Sequence, residues 1–350
     1  MDKRIRILYT IPNFKTAGSQ YVLLSLYRNI NTTVFAPYVC IEKFPQMIPK
    51  DISKKKCLVF KWTNHKFNDT LNFRNLLKQH EIDIVHSWDY KSNYLEALAC
   101  RIAGVKYLYT KKNNAWSKRW QLKSLLSTHI AYDNPEMKER FFNSTFLKNK
   151  VTFIPHGVDT TVFKPLEKKS HQTFNIGCIG NINENKNQLF VIKALKELPE
   201  HIVLHLYGNE EENYRQLLTE YIQSQNLQER VIFYGFVENL ELPEVFRTLD
   251  LCILPSKQEG LPVSILEAMA CGIPVLSSDS GGGARYLLET ENIFSLNNIN
   301  ELIEKIQYYS TQQDNIKEKQ QANVIPKIQT AHTLELEVQA YEYLYKKLLL

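Results

Sequence analysis

Two doubly wound α/β domains of the Rossmann-like kind are the fold class this sequence predicts, and three observations predict it. Short apolar runs alternate with helical periods along both halves of the chain. At 350 residues the chain is long enough for two domains, each with its own core. The stretch 251–283 reads as strand, loop, helix, turn and strand, which is the repeating unit of a parallel sheet.

Along the first half, Ile5, Ile7, Leu8 and Tyr9 form a strand that Pro12 closes. The small-residue loop 15–20 follows, and then Val22, Leu23, Leu26 and Ile30 share one helix face. A loop between a first strand and its helix is the ligand edge of an open α/β sheet, and Gly18 lies in it. Further strands are expected at 35–41 and 58–60, a helix at about 70–80, and a strand at 82–85. His86 stands at the carboxyl end of that strand, where a lone histidine serves packing as readily as chemistry. Strand 107–109 runs into 110–120, which holds Lys111, Lys112, Lys118 and Arg119 with Trp116 and Trp120. That segment fits a phosphate, a membrane interface or a plain surface loop. Residues 125–130 and 134–142 give another strand and helix, and 160–172 reads as a linker around Pro165.

The second half begins with strand 174–179, a loop holding Gly180, Asn181 and Lys186, and helix 188–198. Gly180 lets backbone approach a phosphate, and Lys186 near the helix start can neutralise it; an ordinary surface lysine is the alternative. Strand 203–207 ends at Gly208, another sheet-edge loop. Helix 213–226 leads to strand 231–237 and its turn of Gly235, Phe236 and Val237, and helix 242–249 returns to residue 251. A last helix at about 333–349 carries Leu334, Val338, Tyr341, Leu344, Tyr345 and Leu348 on one stripe, a pattern made for core packing.

The chemistry gathers in 251–283. Pro255 and Ser256 stop the first strand, Pro262 opens the helix, Gly272 ends it and Pro274 forbids its continuation. Glu259 lies just before this helix and Glu267 about a turn and a half inside it. A strand end meeting a helix N-terminus presents free N–H groups and partial positive charge to a phosphate. A carboxylate beside such a place repels the phosphate and suits the hydroxyls of an attached sugar or ribose. An ordinary α/β unit with a solvated Glu259 and a capping Glu267 fits the spacing equally well.

Composition narrows the field. Hydrophobic residues at 44% and charged residues at 23% describe an ordinary globular protein. The six cysteines include no C-x-x-C pair and lie in apolar contexts, as in a reducing compartment. No window approaches a membrane span, the N-terminus lacks the form of a signal peptide, and the expected location is cytoplasmic. Residues 1–164 hold 27 Lys and Arg against 12 Asp and Glu, whereas 165–350 hold 16 against 25. The basic first half suits an anionic partner. An anionic membrane surface or a phosphate-bearing lipid acceptor fits better than nucleic acid, for which no motif is present, and a generally basic solvated face is the alternative. The absence of G-x-G-x-x-G after the first strand argues against an oxidoreductase.

The stretch S-x-x-E-G-L-P at 256–262, L-E-A-M-A-x-G-x-P-V at 266–275 and the glycines at 281–283 resembles the signature of the retaining glycosyltransferases of family four, with their E-x7-E motif. The resemblance extends more weakly to D-I-V-H-S-W at 83–88 and H-G-V-D at 156–159. It implies a GT-B fold: an acceptor-binding domain over 1–164, a nucleotide-sugar-binding domain over 173–330, and a helix at 331–350 crossing back to the first. It implies transfer of a hexose from a nucleoside diphosphate sugar to a glycan or lipid-linked acceptor, with no cofactor and no metal. Glu259 then orients the sugar, Glu267 accepts the ribose hydroxyls, and Lys186 with the N–H groups of Gly260 and Leu261, ahead of Pro262, holds the diphosphate. Gly180, Asn181, Gly208, Phe236 and Val237 complete the donor site, His86 touches the sugar or acceptor, and Gly18, Lys111 and Lys112 face the acceptor. A peripheral position at the inner membrane face follows from the basic half. The chain departs from the pattern with Asn181 for an arginine, Lys111 for a histidine, and 284–286 for an acid. A non-catalytic homologue and a nucleotide-sugar epimerase are the alternatives.

Overall fold

The computed structural model describes residues 3–14, 18–43, 49–50, 52–63, 65–88 and 91–350. The chain divides into two compact units, residues 1–156 with 334–350, and 157–333.

The first unit is built on seven parallel strands: β1 (Ile5–Thr10), β2 (Phe35–Ile41), β3 (Cys57–Val59), β4 (Ile84–Ser87), β5 (Lys106–Lys111), β6 (His129–Tyr132) and β7 (Val151–Phe153). Their order is β3-β2-β1-β4-β5-β6-β7, so the chain winds outward in both directions from the β1/β4 junction. Burial on both faces explains why these strands are apolar runs instead of alternating ones. Leu8, Val85 and Tyr107 of three neighbouring strands lie in one core with Phe73, Ala97 and Ile130.

The C-terminal helix Leu334–Leu349 belongs to this unit. Its buried residues include the six of the apolar stripe. Tyr345 sits edge-on to Phe35 at 5.9 Å and to Tyr9 at 6.5 Å. Burying each such ring contributes about 1.5–3 kcal/mol, so tertiary packing holds this helix down.

One expectation for this unit is corrected. Residues 118–126 form a helix, capped by Ser117, whose Oγ accepts from the Trp120 N–H, and the strand expected at 125–130 begins only at His129. The segment 160–172, read as a linker, falls within the second unit. Val158 and Phe163 are buried in the second unit's core, Phe163 lies 6.4 Å from the Phe246 ring, and Val158 N–H donates to the His332 carbonyl at 2.9 Å.

The second unit has six parallel strands: β8 (Phe174–Ile179), β9 (Ile202–Tyr207), β10 (Val231–Gly235), β11 (Leu251–Leu254), β12 (Val275–Ser278) and β13 (Ile293–Phe294). Their order, β10-β9-β8-β11-β12-β13, puts the switch in winding between β8 and β11. In open α/β sheets ligands collect outside the carboxyl ends of the strands at such a switch. The loop with Gly180 follows β8 and the loop with Glu259 follows β11, so both flank it. Among the described residues no helix is long and apolar enough to cross a membrane.

Candidate active site

Three loops meet at the carboxyl edge of the second sheet. After β8 the chain carries Gly180, Asn181 and a run rich in asparagine. Asn187 adopts a left-handed φ of 55°, which asparagine tolerates, and its amide reaches the Pro255 carbonyl at 3.2 Å. Asn185 donates through its side chain to the Gln258 carbonyl at 3.1 Å and accepts from the Lys257 N–H at 2.7 Å. These bonds tie the loop after β8 to the loop after β11.

Glycine is required where backbones cross. Gly208 after β9 has φ 147°, and a Cβ there would overlap the Gly180 carbonyl. At Gly283 a Cβ would overlap the Gly260 carbonyl oxygen. The triplet 281–283 is therefore less a loop than a helix start: Gly281 precedes the helix Gly282–Leu287, and its glycines admit the chain at Gly260.

Lys186 Nζ lies 2.7 Å from Glu259 Oε1, with both side chains partly exposed. The Glu259 N–H donates to the Ser280 carbonyl at 3.0 Å, which fixes the base of this carboxylate between β11 and β12. The two residues expected to hold diphosphate and sugar thus hold each other, and a ligand using both must open the pair.

Glu267 lies within the helix Val263–Ala270 and is buried. Its Oε1 accepts from the Asn239 side-chain amide at 2.7 Å. Burial raises its pKa to about 7, against a smaller lowering by Asn239. The carboxyl is held ready for a hydroxyl donor that would replace lost water. Gly260, Leu261 and Pro262 connect the two glutamates, and Pro262 sits at the cap of this helix, one residue earlier than expected.

Gly208 N–H donates to the Gly235 carbonyl at 2.7 Å, which brings the turn of Phe236 and Val237 beside this edge. Phe236 is exposed, and Tyr234 stacks on Tyr207 at 4.5 Å. Asn239 and the Tyr207–Tyr234 stack escaped the sequence reading. Nothing in spacing marks them, although the asparagine run at 181–187 was a visible sign that a loop was being laced.

The residues expected to act in the first unit are placed otherwise. His86 is fully buried, with Nδ1 2.7 Å from the Tyr345 hydroxyl and Nε2 2.8 Å from Thr110 Oγ1. Burial, with Lys112 adding, pushes its pKa well below the usual histidine value. Both nitrogens are occupied, so His86 packs the core and has no ring nitrogen left for the contact with sugar or acceptor expected of it. Lys111 is buried, donates to the Asn113 carbonyl and Oδ1 at 2.5 Å each, and lies 4.1 Å from the Trp120 ring centre. Burial lowers its pKa to about 7 against the pull of Asp133. Lys112 donates to the Trp88 carbonyl at 2.6 Å. Trp120 is buried and Trp116 stacks on Phe141 at 4.9 Å. Neither an acceptor contact at Lys111 and Lys112 nor a membrane interface at these tryptophans fits side chains so enclosed. Gly18 opens the helix Gly18–Asn29, and residues 15–17 of its loop lie outside the described residues.

A buried triad is also present in the first unit. His156 Nε2 lies 3.3 Å from Asp133 and Nδ1 3.0 Å from Glu337 of the C-terminal helix. Burial alone would lower its pKa, but Glu337 and Asp133 outweigh that and raise it to about 9. Among the described residues no group of His, Cys, Asp and Glu is arranged to hold a metal ion.

Comparison with known proteins bears on these features. The family model for glycosyl transferases group 1 matches residues 159–327, and that for glycosyltransferase family 4 matches residues 26–162. EpsF of Bacillus subtilis (strain 168), named as a glycosyltransferase with no reaction stated, is 27% identical over 317 residues, 79% of each chain. The UDP-Gal:alpha-D-GlcNAc-diphosphoundecaprenol alpha-1,3-galactosyltransferase of Escherichia coli is 26% identical over 240 residues, 61% of this chain and 62% of that protein. The crystal structure of Anabaena Alr3699/HepE in complex with UDP superposes with a TM-score of 0.81 at 18% identity, covering 98% of this chain and 100% of that one. At such identity the likeness shows the fold alone, that of GT-B glycosyltransferases.

Proposed function

Because this chain belongs to the group 1, family-four glycosyltransferases, we propose that it moves a hexose from a nucleoside diphosphate sugar to an acceptor hydroxyl with retention of anomeric configuration. One observation carries the reading. The Lys186–Glu259 pair sits at the switch point of the second sheet, and Glu267 lies on the adjoining helix, bonded to Asn239 of the turn 239–241.

Lys186 and the N–H groups about Gly260 and Leu261 take the charge of the departing diphosphate, and Glu259 holds the sugar hydroxyls. These groups supply the electrostatic stabilisation that a divalent ion would otherwise provide. Glu267 accepts the ribose hydroxyls, with Asn239 orienting its carboxylate. The relatives support a glycan or lipid-linked acceptor in polysaccharide or glycolipid assembly, since one is named for transfer to a diphosphoundecaprenol-linked sugar. The surplus of 27 basic over 12 acidic residues in the first 164 supports an anionic acceptor or membrane face.

A second reading, a non-catalytic donor-binding homologue, is favoured by Asn181 in place of an arginine and by the closed Lys186–Glu259 pair. Screening nucleotide sugars by thermal shift identifies the donor, because binding stabilises by mass action. Turnover of that donor with retained configuration supports transfer. An inverted product sinks the retaining mechanism, and binding without turnover favours the second reading.

A further inference from the structure

Three helices share one face of the first sheet. The chain passes from β3 through the helix Lys66–Gln79 to β4, through Leu95–Ala103 to β5, and through Lys118–Leu126 to β6. All three crossings step in the same direction along the sheet, so right-handed crossovers put the helices on the same face. They pack side by side, the first on the second and the second on the third. The helix Gly18–Asn29, reached by a step in the opposite direction, lies on the other face with the C-terminal helix against it.

The outer side of this layer carries charge of one sign. Its helices hold two acids, Asp69 and Glu96, and both are buried. Asp69 accepts from the Thr63 N–H at 2.9 Å and from the Thr63 hydroxyl at 2.7 Å. Glu96 accepts from the Tyr107 hydroxyl at 2.9 Å. The exposed charges of the three helices are Lys66, Lys78, Arg101, Lys118 and Arg119, all positive. The next helix, Glu136–Phe141, sets Glu136 and Glu139 against Lys138 and Arg140 and so ends the basic layer.

Apolar side chains stand out among these cations. Phe67 is 76% exposed, Ile102 50%, Leu122 39% and Leu125 47%. Lys150 Nζ donates to the Leu125 and Ser127 carbonyls at 2.9 Å each, which lays the turn before β7 against the end of the third helix. Phe146 of that turn is 80% exposed, and Lys148 is exposed with it. Burial first, and the charge of Arg101 second, lower the Lys150 pKa, so the end of the second helix reaches the same corner.

Phosphate groups alone would satisfy the cations and leave Phe67, Ile102, Leu125 and Phe146 in water. A bilayer surface takes both, since lipid phosphates pair with Lys and Arg while apolar tips enter the acyl boundary. We propose that this helical layer is a docking face for an anionic lipid bilayer. Trp120 faces the core, and Leu122 and Leu125 on the same helix meet the lipid. The purpose of such docking, though not its measurement, rests on the reading of a lipid-linked acceptor given above.

Flotation of the full chain with vesicles tests the face, using phosphatidylcholine alone or with about 30% phosphatidylglycerol. The expected result is binding to the anionic vesicles only, weakening as salt rises from about 0.1 to 0.5 M. Arg101→Glu with Arg119→Glu weakens it about tenfold or more, and Leu125→Ser with Phe146→Ser about fivefold or more. Lys346→Glu with Lys347→Glu, the same change of charge on the C-terminal helix, leaves it within about twofold. Equal loss in both charge-reversed variants would make net charge the cause and overturn the face. Full binding by the serine variant would leave a surface for phosphates in general, nucleic acid included, and overturn the bilayer as partner. No flotation of the wild type overturns the proposal outright. Turnover is a separate readout: a chain that floats but turns over no nucleotide sugar keeps this face and loses the transfer reading.

Discussion

The two sheets share a winding, yet their carboxyl edges are used differently. In the first unit His86, Lys111 and Lys112 are covered by tryptophans, tyrosines and the C-terminal helix, and each spends its polar atoms on a neighbour. In the second, Lys186 and Glu259 keep partial exposure, and Glu267 is buried with one amide for company. Lysine, histidine and carboxylate at a strand end are thus no sign of a site by themselves. What separates the edges is access, because a side chain that is buried and fully bonded has nothing left to offer a ligand.

The sharpest way to break this contrast is to remove one polar residue from each unit. His156→Ala strands the carboxylates of Asp133 and Glu337 in the core and should lower stability by about 3–5 kcal/mol. Thermal or urea unfolding measures this, and affinity of the folded fraction for the identified donor should stay as it was. The histidine pKa is raised from 6.5 to about 9 on folding. Its contribution is accordingly complete below pH 6.5 and lost as pH rises through about 9. A flat stability profile between pH 6.5 and 9 would remove the ion triad from the account.

Next in size are the changes at the second edge. Glu259→Gln and Lys186→Ala should each lower turnover of the identified donor by about 10²–10³-fold while the unfolding midpoint hardly moves. Normal turnover in both would dismantle the catalytic assignment.

Smaller effects belong to Glu267. Replacing it by alanine should weaken binding of the identified donor by about 1.5–3 kcal/mol, roughly 10- to 150-fold by calorimetry. Binding by the wild type should also weaken as pH falls below about 7, where the carboxyl takes up its proton. Unchanged affinity in Glu267→Ala would refute the ribose assignment.

The smallest effect has the opposite sign. A buried acid with its pKa raised from 4.5 to about 7 costs the empty protein stability as pH rises through that interval. Glu267→Gln should therefore raise stability at pH 8 by about 1–3 kcal/mol without ligand. A loss instead would mean that the charged carboxylate helps hold the empty fold.

The alternation of apolar runs with helical periods determined the two doubly wound units, because burial on both faces writes itself into every strand. The stretch 251–275 likewise determined one strand–helix corner, since Pro255, Pro262 and Gly272 are local requirements of such a corner. Tertiary structure decided the rest. The tryptophans at 116 and 120 look like an interface in sequence and pack a core in space, and Ser117 caps a helix that their surroundings had hidden. Whether His86 meets a substrate or Tyr345, 259 residues along the chain, is likewise no property of its neighbours in sequence. Access and long-range partners are fixed only when distant segments fold over one another.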